Sequence, residues 1–160
     1  MREVYLDNSS TTRPFDQVAE RMSKVMTEQY GNPSSIHKMG IDAEKIMNEA
    51  KETLAAALGV KPGEVLFTSG GTESNNLAIK GIATKYRKRG SHIVTSAIEH
   101  RSVLNTMQDL EEDGFEVTYL PVNAKGQINP ADLEEVISKD TILVSIMHAN
   151  NETGVVQPLE

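Results

Sequence analysis

The sequence has 160 residues, 38% hydrophobic and 24% charged, a balance that fits a folded soluble domain and excludes a disordered or fibrous chain. A formal net charge of -7 argues against a general nucleic-acid or anionic-membrane binder, because both depend on clustered Lys and Arg. With no cysteine, the chain itself supplies no disulfide, thiolate nucleophile or Cys-based metal site.

In chain order, Val4-Tyr5-Leu6 reads as a short extended piece entering the polar loop 7–12. Nothing in the opening MREVYLDNSS resembles a signal peptide and no segment approaches transmembrane length, so a cytoplasmic location is expected. A helix should begin near Pro14, since proline suits a first helical turn and Val18, Met22, Val25 and Met26 recur at three- and four-residue spacing. The loop Gly31-Asn32-Pro33-Ser34-Ser35 breaks it. A second helix places Ala43, Ile46, Met47, Ala50, Leu54 and Ala57 on one face and stops at Gly59.

From residue 64 the rhythm changes. Short apolar runs at 65–68, 92–95, 116–120 and 141–146 read as strands, and the stretches at about 72–88, 101–113 and 130–138 as helices. The first of these helices ends in the basic run Lys85–Arg89, where cations complement the helix dipole and Gly90 is expected to provide the C-terminal cap. The last begins at Asn129-Pro130, a capping residue followed by proline. Alternating strands and helices with short connections imply right-handed crossovers on a largely parallel sheet. Residues 1–60 then form an N-terminal arm with helices, and 61–160 the α/β body.

In open parallel sheets, ligands bind at the carboxyl ends of strands. After the first predicted strand comes Ser69-Gly70-Gly71-Thr72-Glu73, which can be a plain tight turn or a phosphate receptor built from free amides, a helix terminus and a hydroxyl. It is neither a P-loop nor a dinucleotide fingerprint. After the second comes Ser96-Ala97-Ile98-Glu99-His100, whose histidine either hydrogen-bonds its own loop or faces a site. After the fourth comes Met147-His148-Ala149-Asn150-Asn151-Glu152-Thr153-Gly154, where adjacent asparagines also suit a turn. The third is followed only by Pro121-Val122-Asn123. Three polar clusters on one sheet edge outweigh the structural reading of each alone. His37, His92 and His148 show no metal spacing, so no metal centre is expected; His92 reads as a partly buried structural residue.

These residues resemble the cysteine desulfurase family. The resemblance is carried in order by Leu6-Asp7-Asn8-Ser9-Ser10-Thr11-Thr12, by Tyr30-Gly31-Asn32-Pro33-Ser34-Ser35 with His37, and by Phe67-Thr68-Ser69-Gly70-Gly71-Thr72-Glu73. It continues through Glu99-His100, Gly114-Phe115-Glu116-Val117-Thr118-Tyr119 and Met147-His148-Ala149-Asn150-Asn151-Glu152, and so covers nearly the whole chain.

The resemblance implies a partial aspartate-aminotransferase-like large domain (the fold type I of pyridoxal-phosphate-dependent transferases) with an N-terminal helical arm. It implies pyridoxal 5'-phosphate as cofactor, with Gly71 and Thr72 on its phosphate. His100 would stack on the ring and assist proton transfers, and Asn151 would hydrogen-bond near the ring hydroxyl and the substrate carboxylate. The implied reaction takes sulfur from L-cysteine, leaving alanine and a protein persulfide for iron–sulfur cluster or thiolation pathways through a sulfur-acceptor or scaffold protein. Family members are homodimers. The alternatives are a selenocysteine-lyase-like enzyme of the same superfamily, or a non-catalytic α/β module for a phosphorylated ligand.

Ser10 and Gly71 stand where the family often has alanine, and Thr153 replaces a common isoleucine. The chain also stops before the family's Schiff-base lysine, ring-nitrogen aspartate, substrate-carboxylate arginine and persulfide cysteine, so by itself it is expected to be inactive. In the family's sheet the strand at 65–68 would lose its neighbours and that at 141–146 would become an open edge. Uncovering Leu66, Leu143, Val144 and Ile146 would forfeit about 6–12 kcal/mol, against a whole-domain stability of ~5–15 kcal/mol. Order is therefore expected only beside a complementary C-terminal half, or in a self-associated assembly.

Overall fold

The computed structural model describes residues 3–159; Met1, Arg2 and Glu160, on which the reading of the two chain ends partly falls, lie outside the described residues. Two compact units emerge, Met1–Phe67 and Thr68–Glu160, and each is described by itself.

In the first unit, α1 spans Asp16–Glu28 and α2 spans Lys38–Leu58. The predicted apolar face of α1 is present in sequence but covered by nothing within the unit: α1 has no buried residue, and Val18, Met22 and Met26 are exposed. On α2 the predicted face is only partly right. Ala43, Ile46 and Met47 are half-buried, Ala50, Leu54 and Ala57 are exposed, and the buried positions are Gly40 and Ala55. Gly40 is buried because a side chain there would overlap the Ser35 carbonyl, so the loop 32–35 packs directly on the helix backbone. Gly59 ends α2 in the left-handed region at φ 68°, and Val60 N–H donates to the Ala55 carbonyl, a helix stop that glycine permits at no steric cost.

The predicted strand at 65–68 is not formed. A 3-10 turn at Pro62–Glu64 leads into extended backbone at Val65, and no ladder follows among the described residues, because no strand lies beside it to accept its hydrogen bonds. Leu66 is 69% exposed.

The second unit is a three-stranded parallel sheet in the order β2-β1-β3, with β1 at His92–Ser96, β2 at Glu116–Leu120 and β3 at Thr141–Ser145. Helix α3 (Gly71–Tyr86) and α4 (Arg101–Glu112) pack together on one side, and α5 (Pro130–Val136) packs on β2. Every residue of β1 is buried, as expected of a central strand covered on both faces. Its alternation divides the core: Ile93 joins Ile79, Ala83, Val103, Met107, Leu110 and Phe115, while Val94 joins Leu120 and Ile128. Leu143 and Ile146 pack against these two clusters and are half-buried, whereas Val144 is exposed. Only Leu66 and Val144 of the four aliphatics are left open, which lowers the expected loss to about 3–6 kcal/mol.

His92 behaves as read. It is buried at the start of β1, with Nδ1 2.7 Å from Thr141 Oγ1 and Nε2 2.9 Å from Thr118 Oγ1, and so joins all three strands. Gly90 differs from expectation. Helix α3 ends at Tyr86 with Arg87 still in right-handed helical geometry, and Gly90 is not among the glycines of positive φ. Its role is close approach, since a Cβ there would overlap the backbone of Asp140. The basic run disperses: Arg87 lies 4.5 Å over the Phe115 ring and donates to the Asp113 carbonyl, while Lys85 and Arg89 flank Tyr86. None of the described helices is long and apolar enough to cross a membrane.

Candidate cofactor site

The chain leaves β1 at Ser96 and turns through Ala97–Ile98 to Glu99, which is 7% exposed. The Glu99 carboxylate accepts from Ser96 Oγ at 2.7 Å and from the Met147 backbone N–H at 2.7 Å. One buried acid thereby ties the end of β1 to the segment following β3. His100 comes next as the N-cap of α4, an exposed residue whose Nδ1 accepts from Ser102 N–H at 3.1 Å.

The segment after β3 is organised by Asn150 rather than Asn151. Asn150 is buried; its Oδ1 accepts from the Glu152 and Thr153 N–H groups, both at 2.9 Å, and from Thr153 Oγ1 at 3.1 Å. Its Nδ2 donates to the Ile98 carbonyl at 3.0 Å, a second tie to the β1–α4 loop. The chain then returns through an antiparallel bridge between Ala149 and Val156. The Asn151 side chain is exposed and makes no hydrogen bond among the described residues. His100, Asn151 and Glu152 line one cavity of about 640 Å³, together with Arg101 and Asn105 of α4. Gly126 closes part of it from the turn after β2, where Asn123 Oδ1 accepts from Lys125 and Gln127 N–H. The sequence carries no side-chain signal for that strand end, since Gly126, at φ 80°, contributes only backbone.

Gly71 and Thr72 open α3, and both are exposed. Open space surrounds the position where a Cβ would stand on Gly70 and on Gly71, so a ligand can approach the first amides of the helix, which lack intrahelical partners. The turn is braced from within: Thr68 Oγ1 lies 2.7 Å from Ser74 Oγ, and Ser69 N–H donates to the Glu73 carboxylate at 2.6 Å. The Ser69 backbone and side-chain hydrogen bonds hold the Glu73 carboxyl below its ordinary value. This end of α3 joins the start of α4 through Asn75 and Asn76, which no motif or periodicity in the sequence marks. Asn75 Nδ2 donates to Ser102 Oγ at 2.9 Å, and Asn76 Nδ2 donates to the Thr72 carbonyl at 2.9 Å and the Ser102 carbonyl at 3.5 Å. The start of α3 and His100 are therefore neighbours, while His100 and Asn151 share a cavity. His37 caps α2 in the other unit, its Nδ1 accepting from Gly40 N–H at 3.3 Å.

A free helix-start amide pair and hydroxyl, linked by hydrogen bonds to the helix that an imidazole caps, suits a phosphorylated ligand, and that imidazole shares its cavity with an unengaged carboxamide. Comparison with known proteins gives the family. The profile of the family Aminotransferase class-V matches residues 4–160, and the chain belongs to that family. Within it, the chain is 51% identical over 159 residues to Cysteine desulfurase IscS of Dictyoglomus turgidum, covering 99% of this chain and 40% of the relative. It is 52% identical to Cysteine desulfurase IscS of Methanosarcina thermophila, covering 99% and 39%. Among solved structures, a NifS-like protein superimposes with a TM-score of 0.93 at 48% identity, over 98% of this chain and 43% of that one. A structure described as SspA in complex with cysteine gives 0.89 at 44% identity, over 98% and 45%. The parallel α/β architecture is thus that of the cysteine desulfurase structures, and the chain spans about 40% of the length of the curated relatives it matches.

Proposed function

We propose that this chain forms the phosphate-binding and ring-stacking wall of a pyridoxal-phosphate-dependent cysteine desulfurase, which takes sulfur from L-cysteine and leaves L-alanine. The observation that carries this reading is the junction of two helix starts, with Thr72 linked through Asn76 and Ser102 to His100, which itself lines a cavity with Asn151. The residues present fit the cofactor: free amides and a hydroxyl for a dianion, a flat imidazole for a flat ring, and an unpaired carboxamide for the polar edge.

Gly71 N–H, Thr72 N–H and the Thr72 hydroxyl bind the phosphate, helped by the positive end of the α3 dipole. His100 provides a planar surface against one face of the ring. Asn151 orients ring and substrate by hydrogen bonding, held in place by the Asn150 turn beneath it. When bound, pyridoxal phosphate supplies the electron sink for bond breaking at the substrate. The remaining length found in the relatives would supply a lysine to tether the cofactor, an aspartate for the ring nitrogen, an arginine for the substrate carboxylate and the cysteine that carries the persulfide. It would also cover the outer edge of β3. The active form is a homodimer in the cytoplasm, and the sulfur passes to an acceptor or scaffold protein.

The test uses the chain assembled with that complementary part. Cofactor titration should produce the visible absorbance of bound pyridoxal phosphate, and L-cysteine should be converted to alanine. Thr72→Val should weaken cofactor binding roughly tenfold, the value of a hydrogen bond to a charged group. An assembly that binds no cofactor and releases no alanine overturns the reading.

A further inference from the structure

The surroundings of His100 go beyond a stacking role, because they fix which ring nitrogen carries the proton. Two groups of Ser102 meet Nδ1. The Ser102 backbone N–H lies 3.1 Å away, and Ser102 Oγ lies 2.8 Å away. A backbone N–H can only donate, so Nδ1 must present its lone pair. With Nδ1 an acceptor, Ser102 Oγ must donate to it, and Asn75 Nδ2, which donates to Ser102 Oγ at 2.9 Å, leaves the serine proton free to do so. Ser102 is 7% exposed, so water competes little for these bonds. On the opposite side of the ring, Nε2 has no protein partner among the described residues, and His100 borders the cavity that holds Asn151.

We infer that Asn75 and Ser102 are positioning residues that lock His100 as the neutral Nε2–H tautomer, so that it meets a ligand as a hydrogen-bond donor and not as an acceptor base. The relay runs from α3 to α4: Asn75 N–H to Ser102 oxygen, then Ser102 O–H and N–H to His100 Nδ1. It ties the ring's tautomer to the same helix pair whose other terminus presents Gly71 and Thr72. His37 provides an internal contrast. Among the described residues its ring meets only the Gly40 N–H, at 3.3 Å, and no hydroxyl. The tautomer assignment stands on these contacts alone, and its meaning for catalysis rests on the cofactor reading above. In that reading, the proton transfers implied by family resemblance would start from Nε2–H given outward; an incoming proton has no vacant ring nitrogen facing the cavity.

The experiment is long-range proton–nitrogen correlation NMR on the cofactor-free assembly of histidine-labelled chain with its unlabelled complementary part, at about pH 9, where ordinary imidazoles are neutral. His100 is assigned by subtracting the spectrum of His100→Gln. The expected result is an Nε2–H pattern for His100, with Ser102→Ala shifting the tautomer ratio toward Nδ1–H by roughly fivefold, the effect of losing one hydrogen bond. Ser102→Thr should restore the wild-type ratio, and His37 should not respond. Should Ser102→Ala disturb the fold, seen as movement of His92, Asn75→Ala decides by the same ratio, with a shift of roughly twofold. A dominant Nδ1–H pattern in the wild type, or a ratio that the serine and asparagine variants leave unchanged, overturns the inference. Because no cofactor is present in the measurement, failure here leaves the cofactor reading standing, and failure of cofactor binding leaves the tautomer standing.

Discussion

Replacing Asn150 by alanine removes an oxygen that accepts three hydrogen bonds and an amide that donates to the Ile98 carbonyl, all from a side chain 7% exposed. Four bonds at about 0.5–1.5 kcal/mol each set a ceiling near 6 kcal/mol. Glu152 and Thr153 are exposed and their amides can turn to water, whereas Ile98 is half-buried, so the loss falls toward the lower part of that range, about 2–4 kcal/mol. The neighbouring Asn151→Ala removes no protein hydrogen bond among the described residues and should lie within about 0.5 kcal/mol of wild type. Urea unfolding of the chain assembled with its complementary part, followed by far-ultraviolet circular dichroism, measures both. Against a total of ~5–15 kcal/mol the contrast is large. Equal losses for the two variants, or an Asn150→Ala protein as stable as wild type, would refute the division of labour between the asparagines.

Three further outcomes are expected. Asp140 accepts from Ser91 N–H and Oγ, both at 3.0 Å, and these bonds hold its carboxyl below the ordinary value of 3.8. Its folded form is the lower one, so its contribution is complete above the unfolded value and is lost as the pH falls through the folded value; Asp140→Asn should narrow the difference in urea midpoint between about pH 7 and about pH 3. Burial, then the hydrogen bond and charge of Glu111, push the Tyr119 phenol up to about 12. That contribution is complete below the unfolded value of 10.0 and is lost as the pH rises toward 12, so Tyr119→Phe should unfold less readily with alkali in that window, read by circular dichroism. Gly90→Ala drives a methyl into the Asp140 backbone and should cost about 1–3 kcal/mol, while Gly63→Ala, in open space, should be near neutral in the same urea assay.

Chain order and periodicity carried much of this architecture. The strands at 92–96, 116–120 and 141–145 and their intervening helices lie within a few residues of where alternation puts them, because a central parallel strand must be apolar on both faces and a covering helix must repeat at three and four residues. The grouping of polar residues at the ends of β1 and β3 was legible for the same reason, since parallel topology sends those ends to one edge. The run at 65–68 failed as a strand although its residues suit one, because a ladder needs a neighbour.

What the sequence determined by itself was the class of fold, the residue types gathered at one edge and the family resemblance those residues carry. Tertiary structure alone decided which residue makes which contact: Asn150 holds the turn while Asn151 makes no hydrogen bond among the described residues, Gly90 gives room where it meets Asp140, and Ser102 hydrogen-bonds His100 Nδ1. Periodicity reports which way a residue faces along its own element, whereas hydrogen bonds such as Asn75 to Ser102 join side chains 27 positions apart and exist only once two helices have packed.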